Sequence, residues 1–270
     1  MISDYYSILS FGAVIPQSDD SWSLEIPAKL KRRDPKIWHL AYVCTARAKQ
    51  NLGVQIKSCI VGTALGALNE TKSFLDKLYD TGFGSPTNFM ASVHNSIAGK
   101  IALEFLIDGP NLTVCDGQNS LASAIFLCES LNDSFFPCLI LAIDEYIDIL
   151  KEISPHISTI CAESLSFDSK EIALALILDK NSQSNNPLIR ASMPVYYSEE
   201  KFGFANIKSN IEDLFNLKYD NIIFCEPDVN SFSNIPQHVY KILKDNIKGK
   251  FLLPCFSPTS KAYSFLEIIL

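Results

Sequence analysis

Leu106-Ile-Asp-Gly-Pro-Asn-Leu-Thr-Val-Cys-Asp-Gly-Gln-Asn-Ser-Leu-Ala-Ser-Ala-Ile125 spells out a turn, a short strand, a second turn and a buried helix. Asp108-Gly109-Pro110-Asn111 has turn chemistry. Leu112 to Cys115 is a short apolar run suited to an interior strand. Gly117 lets the backbone bend sharply before the helix starts. That places Gln118 at a helix N-terminus, where orphan N–H groups and the macrodipole favour a thiolate or an oxyanion. Strand-to-helix elbows of this kind present nucleophiles in many enzymes. Gln118 is an amide and cannot attack a carbonyl.

Gly109-Pro110, Val114 and Gln118, with the small-residue helix behind them, resemble the elbow of the β-ketoacyl synthases. In that family the position of Gln118 carries the catalytic Cys; Cys115 lies three residues early, inside the strand, and is not a match. Gln at this position resembles the chain length factors, the non-condensing partners of ketosynthases in type II polyketide systems, and also decarboxylating ketosynthase variants.

Toward the N-terminus, Ser85-Pro-Thr-Asn-Phe-Met-Ala-Ser-Val-His-Asn-Ser-Ile-Ala-Gly99 opens a helix at Ser85-Pro86. Its small residues Ala91, Ser92, Ala98 and Gly99 permit close backbone approach. The segment is similar in particular to the short chain length factors of aryl polyene pigment clusters. That resemblance implies an acyl-tunnel or interface role for Phe89, Met90, His94 and Asn95, together with Leu112, Val114, Cys115 and Gln118 of the elbow. Read from its own surroundings, His94 beside Asn95 on a packed helix is a satisfied structural group rather than a catalytic base.

The rest of the first half alternates strands and helices. Tyr5 to Pro16 reads as a strand broken by Gly12, and Gly12, Val14 and Pro16 are similar in spacing to the opening of the ketosynthases. Asp34-Pro35 starts an amphipathic helix on Ile37, Leu40, Ala41, Cys44 and Ala48. Before it, Lys29-Leu-Lys-Arg-Arg33 is the one basic run. It is a solvated loop or, through Lys29, Lys31, Arg32 and Arg33, a contact for an acidic acyl carrier protein. Val54 to Gly62 is a strand, followed by Gly62-Thr-Ala-Leu-Gly66 and a helix from about Asn69 to Tyr79. The glycine pair lacks the Gly-Lys-Ser/Thr of a phosphate loop and is similar to a ketosynthase turn instead. Behind Gln118 the helix carries no charge until Glu129, which buries it between layers. Phe136 to Ile143 is a core strand, and Asp144-Glu145 at its end read as surface charges.

In the second half, strands are expected at Ile172 to Leu178 and Pro187 to Tyr196, a helix at about Ala205 to Leu217, a strand at Asp220 to Cys225 and a helix at Gln237 to Ile247. This alternation fits α/β architecture. The resemblance implies a thiolase-like αβαβα layered fold in one domain, 1–270, with pseudo-repeat halves of about 1–165 and 166–270 and a truncated or reduced C-terminal half. Ketosynthases carry two catalytic His in this half. The matching strings here, Cys225-Glu-Pro-Asp228 and Ser257-Pro-Thr-Ser-Lys261 with the Ala-Tyr-Ser-Phe after it, hold none.

Composition narrows the classes. A net charge of −7 argues against nucleic-acid binding. No run of eighteen apolar residues occurs, so no membrane span is expected. Met1-Ile-Ser-Asp-Tyr-Tyr lacks the features of a signal peptide, and eight scattered Cys without a CxxC pair suit a reducing, cytoplasmic setting with no metal site. No cofactor is expected. Condensation needs a thiolate, two imidazoles and an oxyanion hole. The expected function is therefore a pseudoenzyme: a chain length factor that forms a heterodimer with an active ketosynthase, works with an acyl carrier protein and shapes the acyl tunnel. The alternatives are a malonyl-carrier-protein decarboxylase using the Gln118 amide, and a stand-alone acyl-binding or scaffold protein.

Overall fold

The computed structural model describes residues 1–16, 18–19, 21–30, 34–50, 52–149, 171–180, 185–196, 222–224, 234–257 and 262–270. Its strands are β1 (Tyr6–Val14), β2 (Ser58–Thr63), β3 (Asn111–Cys115), β4 (Cys138–Asp144), β5 (Ile172–Asp179), β6 (Leu188–Ala191), β7 (Val195–Tyr196), β8 (Ile222–Phe224), β9 (Lys250–Ser257) and β10 (Ala262–Ile269). Its helices are α1 (Lys36–Lys49), α2 (Leu68–Thr81), α3 (Pro86–Ser92), α4 (Ser96–Phe105), α5 (Ser120–Leu127) and α6 (Asn234–Lys244).

The strands form one mixed sheet in the order β3-β2-β4-β5-β1-β6-β10-β9-β8, with β7 paired to β10. β2 is parallel to β3 and β4, whereas β4–β5 and β5–β1 are antiparallel. The other end repeats this pattern: β8–β9 parallel, β9–β10 and β10–β6 antiparallel. The order 2-4-5-1 thus recurs as 8-9-10-6, and β3 has no counterpart among the described residues.

Side-chain alternation along the strands sorts the core onto two faces. Cys59, Val61, Leu139, Leu141, Ala173 and Ala175 pack with α1 and α4. Ile60, Cys138, Ile140, Leu174 and Leu176 pack with α5, with Ile235, Val239 and Ile242 of α6, and with β9 and β10. β4 and β5 are buried on both faces, which is why they read as unbroken apolar runs.

Several expectations shift. The strand expected from Val54 begins at Ser58, and the one expected over Pro187 to Tyr196 is split into β6 and β7. β9 and β10, long and fully paired with each other, were absent from the sequence reading. The segment around His94 is not one packed helix. The Thr71 hydroxyl donates to Ser92 O at the end of α3, Val93 turns extended at φ −81° and ψ 135°, and His94 and Asn95 lie exposed in the turn before α4. The helix expected at Ala205 to Leu217 lies outside the described residues.

Candidate functional site

The elbow has the local geometry its sequence dictates. β3 ends at Cys115, Gly117 adopts φ +53°, and a single turn of 3-10 helix, Gly117–Asn119, leads into α5. A positive φ at the bend suits a residue without a Cβ. Gly62 on β2 is the second glycine the site needs. A Cβ there would sit 2.5 Å from Ser120 O, so only hydrogen lets the start of α5 lie on the strand. The Ser120 hydroxyl accepts from Asp116 N–H at 2.9 Å and donates to Thr63 O at 2.8 Å. Asn119 Nδ2 donates to Ala262 O at 3.1 Å and its Oδ1 accepts from Ser264 Oγ at 2.7 Å, which ties the bend to β10. Gln118 is buried between these anchors, at 5% exposure.

Asp144 and Glu145 are not surface charges: they are 9% and 2% exposed. The turn after β2 folds over the end of β4, and Asp144 is what holds it there. Its carboxylate accepts from Thr63 Oγ1 at 2.8 Å, Ala64 N at 2.9 Å and Leu65 N at 2.9 Å. Burial nevertheless pushes the Asp144 carboxyl up to about 6, against the pull of those three donors. The amides of the Gly62–Gly66 turn thus face the chain's own carboxylate, leaving no phosphate cradle there.

β3 is the terminal strand of the sheet, with Leu112 and Val114 half-buried against the α5 face and Cys115 exposed. Ser92, Val93, His94 and Asn95 face Thr113 and Cys115 across a shallow groove of about 470 Å³. Ala67 N–H donates to His94 Nδ1 at 3.4 Å. The Cys115 thiol donates to Ala64 O at 3.4 Å; burial, and then Asp144 and Asp116, push it above its ordinary value. It is the reverse of an activated thiolate. The structure therefore brings His94, Asn95 and Cys115 together on one groove.

Phe89 and Met90 lie elsewhere, 54% and 61% exposed on α3. Phe89 meets Phe74 of α2 with ring centroids 5.5 Å apart. Lys29 is paired with Glu104 at 2.6 Å. Lys31, Arg32 and Arg33 fall outside the described residues, as do Cys225 to Asp228, Lys261 and His156. His39 Nε2 contacts Leu30 O, and His238 lies half-buried on α6 with its imidazole pushed below the ordinary value, first by burial and then by Lys241. Among the described residues, no group of three or more His, Cys, Asp or Glu is placed to hold a metal ion, and no helix is long and apolar enough to cross a membrane. The sequence reading missed Asp144 as the clamp of the 62–66 turn; its position as the one charged residue at the end of an otherwise apolar strand was the available signal.

A family model described as "Beta-ketoacyl synthase, N-terminal domain" matches residues 13–201. No curated protein matches the chain by sequence. Among solved structures, the chain is similar to the ishigamide ketosynthase/chain length factor, with TM-score 0.74, 13% identity and 99% of each chain covered. It is similar to a ketosynthase (ApeO) in complex with its chain length factor (ApeC) from Xenorhabdus doucetiae, with TM-score 0.59, 14% identity, and 98% and 99% covered. It is also similar to AntDE:AntF, a type II PKS acyl-carrier protein in complex with its ketosynthase, with TM-score 0.66, 10% identity and 98% of each chain covered.

Proposed function

This chain belongs to the β-ketoacyl synthase N-terminal-domain family and has its thiolase-like fold, and on that premise we propose that it is a non-catalytic, chain-length-factor-like subunit. It pairs with an active ketosynthase and shapes that partner's acyl tunnel. One observation carries the reading: the elbow is fully built, yet the residue at its tip is a buried glutamine. The scaffold that presents a nucleophile is retained, while the nucleophile is not. Cys115 offers no substitute, because it sits in the strand and its thiol is held protonated.

An assembly role also suits the β3 edge, which has no further strand beside it among the described residues, since unpaired strand edges are templates for docking another chain. Likeness to structures whose names pair a ketosynthase with a chain length factor supports the same reading. The finer assignments are part of the proposal: an aryl polyene product from the resemblance at 85–99, carrier-protein contact through Lys29 to Arg33, and a cytoplasmic location.

Two assays test it. Co-expression with the ketosynthase encoded nearest to it yields a stable heterodimer whose product length differs from that of the ketosynthase alone. Gln118→Ala leaves malonyl-carrier-protein decarboxylation by the isolated chain at background, and Gln118→Cys gains alkylation by iodoacetamide without chain elongation. Release of carbon dioxide that is lost in Gln118→Ala establishes the decarboxylase instead.

A further inference from the structure

We propose that His94 is a pH-sensitive latch on the α2–α3 hairpin: the neutral imidazole holds the two ends of the hairpin together, and protonation releases them. α2 begins without a capping side chain of its own, because its N-cap residue is Ala67. Four consecutive main-chain amides at this start are satisfied by side chains instead. Ala64 and Leu65 N–H donate to the Asp144 carboxylate, Gly66 N–H to Thr63 Oγ1 at 2.8 Å, and Ala67 N–H to His94 Nδ1 at 3.4 Å. Residues 67 and 94 bracket the hairpin, so the last of these bonds closes it. The ring fits tightly. Gly66 has φ +60°, and a Cβ there would stand 2.3 Å from His94 Nδ1 and 2.6 Å from its Cε1. A ring that accepts at Nδ1 is neutral and carries its hydrogen on Nε2. An imidazolium has N–H on both nitrogens and accepts nothing, so it would face Ala67 N–H donor to donor. It would also set a positive charge at the wrong end of the helix macrodipole.

The hairpin has little burial to fall back on. No residue of α2 is buried, and Ala91 is the buried residue of α3. The Thr71–Ser92 bond and the Phe74–Phe89 contact lie within the hairpin, while Asn69 Nδ2 donates to Tyr146 O at 3.0 Å on the body of the molecule. Elements with few buried apolar contacts open locally at low cost, so one bond is a large share of the hold. Phe89 and Met90 ride on this hairpin, and their freedom follows the charge on His94. The other titratable or charged groups on the elements around the ring are Cys115 and Asp116 at the end of β3, Asp144 under the turn, Glu70 and Lys72 at the start of α2, and Lys100 in α4. Burial raises the Cys115 thiol, which stays protonated, and Lys72 and Lys100 are held in ion pairs. Asp144 has the opposite sign to the latch. Burial pushes it up to about 6, so its contribution to stability is lost as the pH climbs through that value, not as it falls. Burial raises Glu70 too, with the same sign. Loosening of the hairpin on acidification is therefore the mark of His94.

Amide exchange over residues 68–92, corrected for intrinsic rates, tests the latch in dilute solution at about pH 7.5 and about pH 5.5, the interval in which imidazoles titrate. The parent is compared with His94→Ala, which has no acceptor, and His94→Asn, whose amide oxygen accepts at either pH. Opening of the parent rises about three-fold at the lower pH, the effect of losing one neutral hydrogen bond. His94→Ala is open to that extent at both values, and His94→Asn shows no rise. No rise in the parent, or the same rise in either variant, overturns the latch. Ring nitrogen NMR, with the His94 signals assigned as those lost in His94→Asn, tests the bond directly. The Nε2–H tautomer is expected at about pH 7.5; the Nδ1–H tautomer overturns the bond and the proposal with it.

Discussion

Leu106 closes α4 with left-handed backbone, φ 56° and ψ 46°, while its side chain is 79% exposed. An L-residue with a Cβ loses about 1–2 kcal/mol there and glycine does not. Leu106→Gly therefore stabilises the isolated chain by about 0.5–1 kcal/mol, a rise of about 2 °C in melting temperature; a fall refutes the strain. Glu145 acts in the other direction. It is 2% exposed, its Oε1 lacks a hydrogen-bond partner among the described residues, and burial pushes it up to about 7, with Glu70 and Glu171 adding and Asn69 and Lys36 opposing. The unfolded chain ionises this carboxyl near its ordinary value of 4.5. The group's contribution to stability is therefore intact below about 4.5 and is lost as the pH climbs through about 7. Glu145→Gln removes that loss, so the fall in melting temperature between pH 5 and pH 8 is smaller in the variant. An equal fall in both proteins excludes Glu145 as its source. Neither feature was legible in the sequence: a Leu in the left-handed region carries no mark, and two acids at a strand end read as exposed until the turn at 62–66 is known to fold over them.

Elements were legible where one signal dominated. α1, α5 and β4 follow from helical spacing, a charge-free helix and an apolar run, and the elbow from Gly117 between two apolar segments. β9 and β10 were missed although Phe251-Leu-Leu is apolar and Phe265-Leu-Glu-Ile-Ile is apolar but for Glu267; Pro254 inside β9 argues locally against a strand, and only pairing to β10 along eight residues overrides it. The α2–α3 hairpin was read correctly as helices but its exposure was not. None of α2 is buried, and Leu75, Tyr79 and Phe83 stand exposed beside Phe89 and Met90. An apolar helical face depends on its partner for cover, and one chain's sequence does not say whether that partner is its own core. The exposure makes the tunnel test clean. Met90→Ala costs under about 0.5 kcal/mol, and Phe89→Ala about 0.5–1.5 kcal/mol through its contact with Phe74. If either side chain gates the partner's tunnel, its loss lengthens the product with folding unaffected. Unchanged product lengths in both variants remove the two residues from the tunnel.

The whole molecule is a sheet whose two ends repeat one pairing pattern, and the repeat stops at β3. Pairing groups β5 with β1 to β4. The first half keeps a strand for which the second has no described counterpart, and that strand is the open edge among the described residues. Natural proteins blunt such edges with charge or proline, whereas Asn111-Leu-Thr-Val-Cys115 carries neither. The isolated chain is accordingly expected to self-associate or precipitate. A proline scan separates docking from folding. At 113 the main-chain N–H points away from β2, so Thr113→Pro removes an outward donor and leaves the β2–β3 ladder intact. At 112 the N–H points into that ladder, so Leu112→Pro breaks a bond within the sheet. Thr113→Pro should melt within about 2 °C of the parent, scatter less light at high concentration and fail to retain ketosynthase on a column. Leu112→Pro should lose several degrees and aggregate more. Retention of ketosynthase by well-folded Thr113→Pro would show that the partner binds elsewhere and that the open edge is incidental.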